Sequence, residues 1–445
     1  MTAKEICELL AEKQYKKIKE SFADVNVVDL AELLEELPER QMIMAFRLIG
    51  KEEAAETFSC MEPREQQILV EALTERELRA VLDDMFLDDT ADLLEEMPAN
   101  VVERILSNTD AETRRQLNQI LSYPDDSVGS IMTVEYVDLK PSMTVKASLE
   151  KIRRVGIDSE TIYNCYVIQN KKLIGIVTAK SLLISDERKT VEEIMESNII
   201  TVNTHDDQET AAHLVRKYGL IALPVVDKEG CMVGIVTVDD AMEVMEDEAT
   251  EDITLMAAVA PSEDSYFGTS VFRHARNRSP WLLVLMLSAT FTGMIISKYE
   301  AAFSALPVLV SFIPMLMDTS GNCGSQSSAL IIRGMAIDDI HLRDALKVIW
   351  KEVRVAAVVS STLAVVNGIR IYIQYGQDLR LAFLIGLTLV CTVTLAELIG
   401  CSLPMLAKRC KLDPALMAAP LITTCVDAAA ILIYFSIATA MFPQI

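Results

Sequence analysis

Histidine is scarce in this chain. There are four in 445 residues (His205, His213, His274 and His341), and none stands in metal-ligand spacing with another. The nine cysteines are scattered and odd in number, with no CxxC pair. These features argue against structural zinc and a disulfide framework, and for a reduced cytosolic setting. A soft or borderline metal would find few ligands here, whereas oxygen donors for a hard cation abound. Catalytic signatures are missing as well: there is no nucleophile elbow, P-loop or HExxH helix, so no enzyme is expected. The opening "MTAKEICELLAEKQYKKIKE" reads as a charged helix and not as a signal peptide.

The acidic residues that are present are unevenly placed. Residues 1–272 hold 27 Lys and Arg against 55 Asp and Glu, whereas residues 273–445 hold 14 against 10. An acidic soluble part repels nucleic acid and anionic headgroups and attracts cations. The same charge also serves plain solubility. No nucleic-acid partner is expected.

Five apolar runs, at about 280–297, 305–332, 353–374, 381–407 and 415–441, match the roughly 20 residues that a spanning helix needs. Eleven basic residues flank one side of these runs: Arg273, Arg276, Arg278, Arg333, Arg343, Lys347, Lys351, Arg354, Lys408, Arg409 and Lys411. Lys298, Arg370 and Arg380 flank the other. The bias puts the acidic N-terminal half in the cytoplasm and the C-terminus outside a plasma membrane.

Three acids lie within the runs: Asp318, Glu397 and Asp427. An ionised Asp at a bilayer centre costs about 2.5–3.5 kcal/mol on insertion scales, so something must offset it. Asp427 has Thr423 one turn earlier, and Pro420 is expected to free carbonyls toward a cavity. A permeating cation is the expected partner. Glu397 reads equally as a pore group and as a packing carboxyl bonded to a nearby hydroxyl. The second run carries "MDTSGNCGSQSSALIIRG", whose middle is crowded with small and amide-bearing residues, Asn322 and Gln326 among them. Packing alone needs one or two small residues, so this reads as a water-lined wall. Five helices in one subunit offer too few such walls, and a two-fold homodimer is expected.

The cytoplasmic half is repetitive. "KLIGIVTAKSL" at 172 recurs as "CMVGIVTVDDA" at 231, each with an apolar strand pair and flanking amphipathic helices. The strand pairs are Cys165–Gln169 with Leu173–Thr178, then Leu223–Asp227 with Met232–Thr237. This β-α-β-β-α order resembles a tandem pair of CBS domains, over 128–190 and 191–248. That resemblance implies an adenine nucleotide, ATP for example, held through Thr178, Thr237 and Asp240. The first copy has Ser181 where the second has Asp240. A purely structural pair is the alternative.

Residues 1–127 read as stacked short helices. "DLAELLEELPER" at 29 recurs as "DTADLLEEMPAN" at 89, with Leu30, Leu33, Leu34 and Leu37 on one face and Pro at the corners. A connecting helix, 249–272, then leads to a membrane domain, 273–445. The fold class expected is multidomain: an all-α helical-repeat N domain, an α/β CBS pair, a linking helix and five membrane helices.

Taken together, the chain resembles the MgtE family of magnesium channels over essentially its whole length. The motifs are "RSPWL" opening the first span, "MDTSGNCGSQSSALIIRG" in the second and "DPALMAAPLITTCVD" in the fifth. The resemblance implies that the pore carboxylate is Asp427, with Asn322, Gln326, Thr423 and Thr424 lining the pore. It places regulatory magnesium on Asp88, Asp92, Asp240, Glu243, Glu248, Glu251, Asp252 and Asp413. The chain departs from the family at two points: Ser320 replaces the first Gly of Gly-Gly-Asn, and Gly219 stands where Asp is frequent. The function expected is magnesium influx closed by cytoplasmic Mg2+. One rival is a Na+- or H+-coupled carrier of Mg, Mn or Co, with Glu397 and Asp318 as coupling groups. Another is a membrane-anchored nucleotide sensor.

Overall fold

The computed structural model describes residues 2–157, 159–262, 266, 269–299, 306–376, 378–417 and 419–442. The chain divides into two compact units, Met1–Glu246 and Asp247–Ile445.

The first unit opens with short helices: α1 (Ala3–Ala11), α2 (Tyr15–Phe22), α3 (Val27–Glu35), α4 (Glu39–Phe46), α5 (Lys51–Ser59), α6 (Pro63–Ala72), α7 (Glu75–Leu82), α8 (Leu87–Glu96), α9 (Ala99–Asn108) and α10 (Ala111–Ile120). The prolines stop and restart the chain as expected: Pro38 and Pro98 cap α4 and α9, and Pro63 opens α6. Thr2 and Thr74 close capping boxes with Glu5 and Glu77, satisfying first-turn amides that would otherwise lack acceptors. Each helix is too short to persist alone. Stacking compensates, with α3 on α5, α5 on α7 and α7 on α9, around Leu30, Leu34, Phe58, Leu78 and Ile105.

Two three-stranded sheets follow. β1 (Tyr136–Leu139), β2 (Thr161–Gln169) and β3 (Lys172–Thr178) form one, and β4 (Val202–Asn203), β5 (Ala222–Val226) and β6 (Met232–Thr237) the other. In each, the first pair is parallel and the second antiparallel. Helices α11 (Val145–Val155), α12 (Ala179–Ile184), α13 (Val191–Ile194), α14 (Gln208–Tyr218) and α15 (Val238–Met256) complete the repeat. The expected strand pairs are present in both copies. The copies join through reciprocal backbone hydrogen bonds between Thr133 and Ile235, 2.9 Å each. Gly219 caps α14 with φ +60°, a left-handed conformation that glycine adopts without strain. That supplies a conformational reason for Gly at a position where the family often has Asp.

The expected linking helix, 249–272, is not a separate element. α15 runs unbroken from the CBS pair to Met256, and no helix occupies the described residues of 257–270. No Pro or Gly interrupts the sequence between 238 and 256, so the helix simply continues. Residues 263–265, 267 and 268 lie outside the described residues.

The second unit carries α16 (Val271–Lys298), α17 (Ile313–Ala336), α18 (Ala345–Gln374), α19 (Leu379–Arg409) and α20 (Ala419–Met441). Four helical stretches among the described residues are long and apolar enough to cross a membrane: Val271–Lys298, Leu342–Gln374, Leu379–Arg409 and Pro414–Met441. The remaining expected span, the second at 305–332, corresponds to α17 after a 3-10 turn at Pro307–Phe312, and residue 305 lies outside the described residues. α17 has 24 residues, about 36 Å, enough to span, but its polar middle keeps it out of that apolar set. α17 packs on α19 and α20, α18 on α19, and α16 on α20. At the α17–α19 crossing, a Cβ on Gly400 would lie 2.3 Å from the carbonyl oxygen of Gly324, so the two backbones nearly touch. Leu282, Leu287 and Phe291 on α16, and Leu346, Val358 and Ile373 on α18, are exposed. An apolar surface of this kind suits lipid.

Candidate functional site

Two groups of candidate residues take shape, one in each unit. In the first, α8 brings Asp88, Asp89 and Asp92 against the start of α15, which carries Asp240 and Glu243. Asp88 is only 8% exposed. Burial pushes its carboxyl well above the ordinary range, and the charges of Asp240 and Asp89 push it further. Asp89 is pushed up to about 6 by burial, then by Asp240 and Glu135. Asp92 stands at the solvent rim and shifts the same way, through crowding by protein and then Glu243. Asp240 is raised by burial, although the Thr237 hydroxyl, 2.5 Å away, donates to it and opposes the rise.

Two further acids complete this cluster, and sequence reasoning missed both, together with Asp89. Glu135 accepts from the Leu87 amide at 3.1 Å and the Thr133 hydroxyl at 3.0 Å. Glu160 is pushed up to about 7 by burial, then by Asp239 and Asp240, and its Oε2 is buried with no hydrogen-bond partner among the described residues. The only sequence signal for either was an acid just before a CBS strand. No Lys or Arg among the described residues forms an ion pair with Asp88, Asp89, Asp240 or Glu160. Nor do three Asp, Glu, His or Cys side chains among those residues form a ready-made metal cage. A set of facing carboxylates, one with an orphaned buried oxygen, suits a hard divalent cation that keeps some of its waters.

The nucleotide candidates are engaged locally. Thr178 caps α12, its hydroxyl 2.9 Å from Ser181 Oγ and accepting from the Ser181 amide. Thr237 donates to Asp240, and the Asp240 amide faces the Thr237 hydroxyl in return at 3.5 Å. Farther along α15, in the second unit, Glu248, Glu251 and Asp252 share one helical face. Asp413 sits in the turn after α19, accepting from the Ala415 amide at 2.8 Å.

The second group lies along α17 and α20. Asp318, Asn322 and Gln326 recur every four residues, form one stripe of α17, and are all exposed. Gly321, beside this stripe, lets α20 come close: a Cβ there would stand 3.1 Å from Thr423 Cγ2 and 3.8 Å from Asp427 Oδ1. Asp427 and Asp318 are near enough to interact electrostatically. Pro420 does not loosen a helix as expected. It occupies the first turn of α20, where no ladder hydrogen bond is lost, and its carbonyl accepts from the Thr423 and Thr424 hydroxyls at 3.0 and 2.9 Å. Ser320, the departure from Gly, is fully buried and donates to the Leu316 carbonyl at 2.6 Å, so it fits without spare polarity.

Glu397 follows neither expectation cleanly. It is buried, and the hydroxyl near it, Ser327 Oγ, bonds Glu352 Oε2 at 2.6 Å and lies 3.3 Å from the Glu397 backbone carbonyl. Glu352, unremarked in the sequence because it lies just before an apolar run, is buried too.

Comparison with known proteins agrees with both halves. A family model described as a divalent cation transporter, MgtE, matches residues 313–437. The MgtE intracellular N domain matches 25–126, and the CBS domain matches 128–186 and 191–247. A magnesium transporter MgtE of Thermus thermophilus is 36% identical over 443 residues, covering 98% of each chain. That of Bacillus subtilis is 30% identical over 433 residues, covering 97% of this chain and 95% of the relative. A crystal structure of the cytosolic domain of the Mg2+ channel MgtE in complex with ATP aligns with TM-score 0.52 and 36% identity, over 54% of this chain and 99% of that one. These relatives are transporters, not enzymes. The chain therefore belongs to the MgtE family of magnesium transporters.

Proposed function

We propose that the chain is a magnesium-selective channel of the plasma membrane, a homodimer with five membrane helices per subunit, a cytoplasmic N-terminus and an extracytoplasmic C-terminus. The carrying observation is the exposed stripe Asp318–Asn322–Gln326 beside Asp427. A polar row on a membrane helix cannot face lipid, so it faces water or a second copy. Two copies of Asp427 about one axis hold a hydrated Mg2+ through its waters, with Asn322, Gln326, Thr423 and Thr424 as further polar contacts. Monovalent ions gain half as much from the same charge. Inward flux needs no ATP, because a divalent ion gains about 4.6 kcal/mol per 100 mV of negative-inside potential.

Gating follows from the acid cluster. Carboxylates about 5 Å apart repel by roughly 3 kcal/mol at an effective dielectric of 20. Mg2+ on Asp88, Asp92, Asp240 and Glu243 removes that repulsion and ties the N domain to the CBS pair. Glu248, Glu251, Asp252 and Asp413 add further sites near the pore. Swinging a gate from 1:99 to 99:1 takes about 5.5 kcal/mol of differential binding, which several weak sites supply together. An adenine nucleotide at Thr178, Thr237 and Asp240 is the further regulator, supported by the ATP complex of the structural relative. The test is current suppression: raising cytoplasmic Mg2+ closes the wild type, and the triple variant Asp88→Asn, Asp89→Asn, Asp92→Asn stays open. Equal suppression of both would refute the gating reading.

A further inference from the structure

Glu352 on α18 and Glu397 on α19 are 9% and 4% exposed, and they are close enough to interact electrostatically. Both lie around Ser327 of α17, one turn from the Gly324–Gly400 crossing. The Ser327 hydroxyl has one hydrogen, which goes to Glu352 Oε2. Glu397 Oε2 is buried and has no hydrogen-bond partner among the described residues. No Lys, Arg or His among the described residues forms an ion pair with either acid. Lys351 and Arg354 flank Glu352 in sequence but are exposed. The other titratable groups in electrostatic reach are Cys323 of α17 and Cys401 of α19, which are no cations at neutral pH. On α20 the acid is Asp427, which lies by Gly321 instead.

We infer that Glu352 and Glu397 form a proton-binding site, holding one hydrogen ion between them inside the membrane unit. A metal ion is a poor occupant, because Mg2+ wants six oxygens and keeps waters. The site offers two carboxylates, a hydroxyl and one carbonyl, shut from solvent. A proton needs one donor and one acceptor, and it supplies the donor that Glu397 Oε2 lacks. Two buried like charges side by side are costly, so one proton removes both the repulsion and the unpaired charge. With the proton bound, α18 is tied to the α17–α19 crossing. Without it, the acids repel and α17, which carries Asn322 and Gln326, loses that brace. The site therefore makes transport sensitive to pH at a place separate from Asp427. This consequence rests on the transport reading, whereas the proton site itself does not.

The experiment is infrared spectroscopy of the full-length protein in lipid, paired with Mg2+ flux at fixed voltage across a pH series. The difference spectrum of wild type minus Glu397→Gln should contain the carbonyl stretch of an un-ionised carboxylic acid at neutral pH, lost as pH rises. Flux of the Glu397→Gln variant should lose the alkaline fall shown by the wild type. If that variant does not fold, Ser327→Ala keeps both acids and should shift the same band. A spectrum without the band, or a band unmoved in Ser327→Ala, overturns the site, as does a wild-type pH profile retained in Glu397→Gln. The band present with no Mg2+ flux in any protein would instead sink the transport reading and leave the proton site standing.

Discussion

Gly321 stands against Asp427: a methyl group on its Cα would sit 3.8 Å from Oδ1 and 3.1 Å from Thr423 Cγ2. The acid in α20 is thus placed beside the polar stripe of α17 by the absence of a side chain. Gly321→Val should push Thr423 aside and reduce Mg2+ flux about tenfold, the effect of losing roughly 1.4 kcal/mol, while leaving the protein folded. Flux in liposomes alongside a thermal melt separates the two effects.

A different glycine tests packing alone. At Gly400 the clash is with backbone, 2.3 Å from the Gly324 carbonyl oxygen, and no side chain can swing away. Gly400→Ala should destabilise the membrane unit by about 1–3 kcal/mol. A melting temperature equal to wild type would contradict the close crossing.

The acid cluster predicts a direction with pH. Asp89 and Glu160 are raised to about 6 and about 7 in the fold, against ordinary values near 4 when unfolded. The folded state therefore binds more protons in that window, and stability falls as pH rises from about 4 through 7, with Asp92, raised to about 8, carrying the fall further. Without divalent cations, the cytoplasmic part should melt lower at pH 7.5 than at pH 5.5. Millimolar Mg2+ should recover most of the loss at the higher pH. A melt that rises with pH in the absence of Mg2+ would reverse the account.

For the nucleotide, the hydrogen bond from Thr237 to Asp240 fixes the carboxylate at the start of α15. Asp240→Asn should weaken ATP binding by about 1.5–3 kcal/mol, the worth of a hydrogen bond to a charged group. Thr178→Val should weaken it less, because Ser181 replaces the acid in that copy. Calorimetry on the full-length protein reads both.

The fold was legible where pattern and period are strong. The CBS repeat, the proline-cornered helices and four apolar helices follow from alternation, 3.6-residue spacing and hydropathy. α17 was harder, since the polarity that marks it as a wall also removes it from the apolar set. The helix end at Met256 was missed even though Pro261, a few residues on, cannot continue a helix. At the sites, the family resemblance, and not spacing, pointed to Asp88 and Asp92. Asp89, Glu135 and Glu160 join them only through the tertiary contact of α8 with the CBS pair. Glu352 escaped notice for a similar reason: only the packing of α18 on α19 brings it to Ser327 and Glu397.

The central claim is that Asp427 carries the permeating ion. The direct measurement is Mg2+ flux into liposomes at fixed voltage, wild type against Asp427→Asn, with Mn2+, Co2+ and Ni2+ in parallel. The amide keeps shape and polarity and removes charge, so flux should fall about tenfold or more with the fold intact. Undiminished Mg2+ flux through Asp427→Asn would contradict the account.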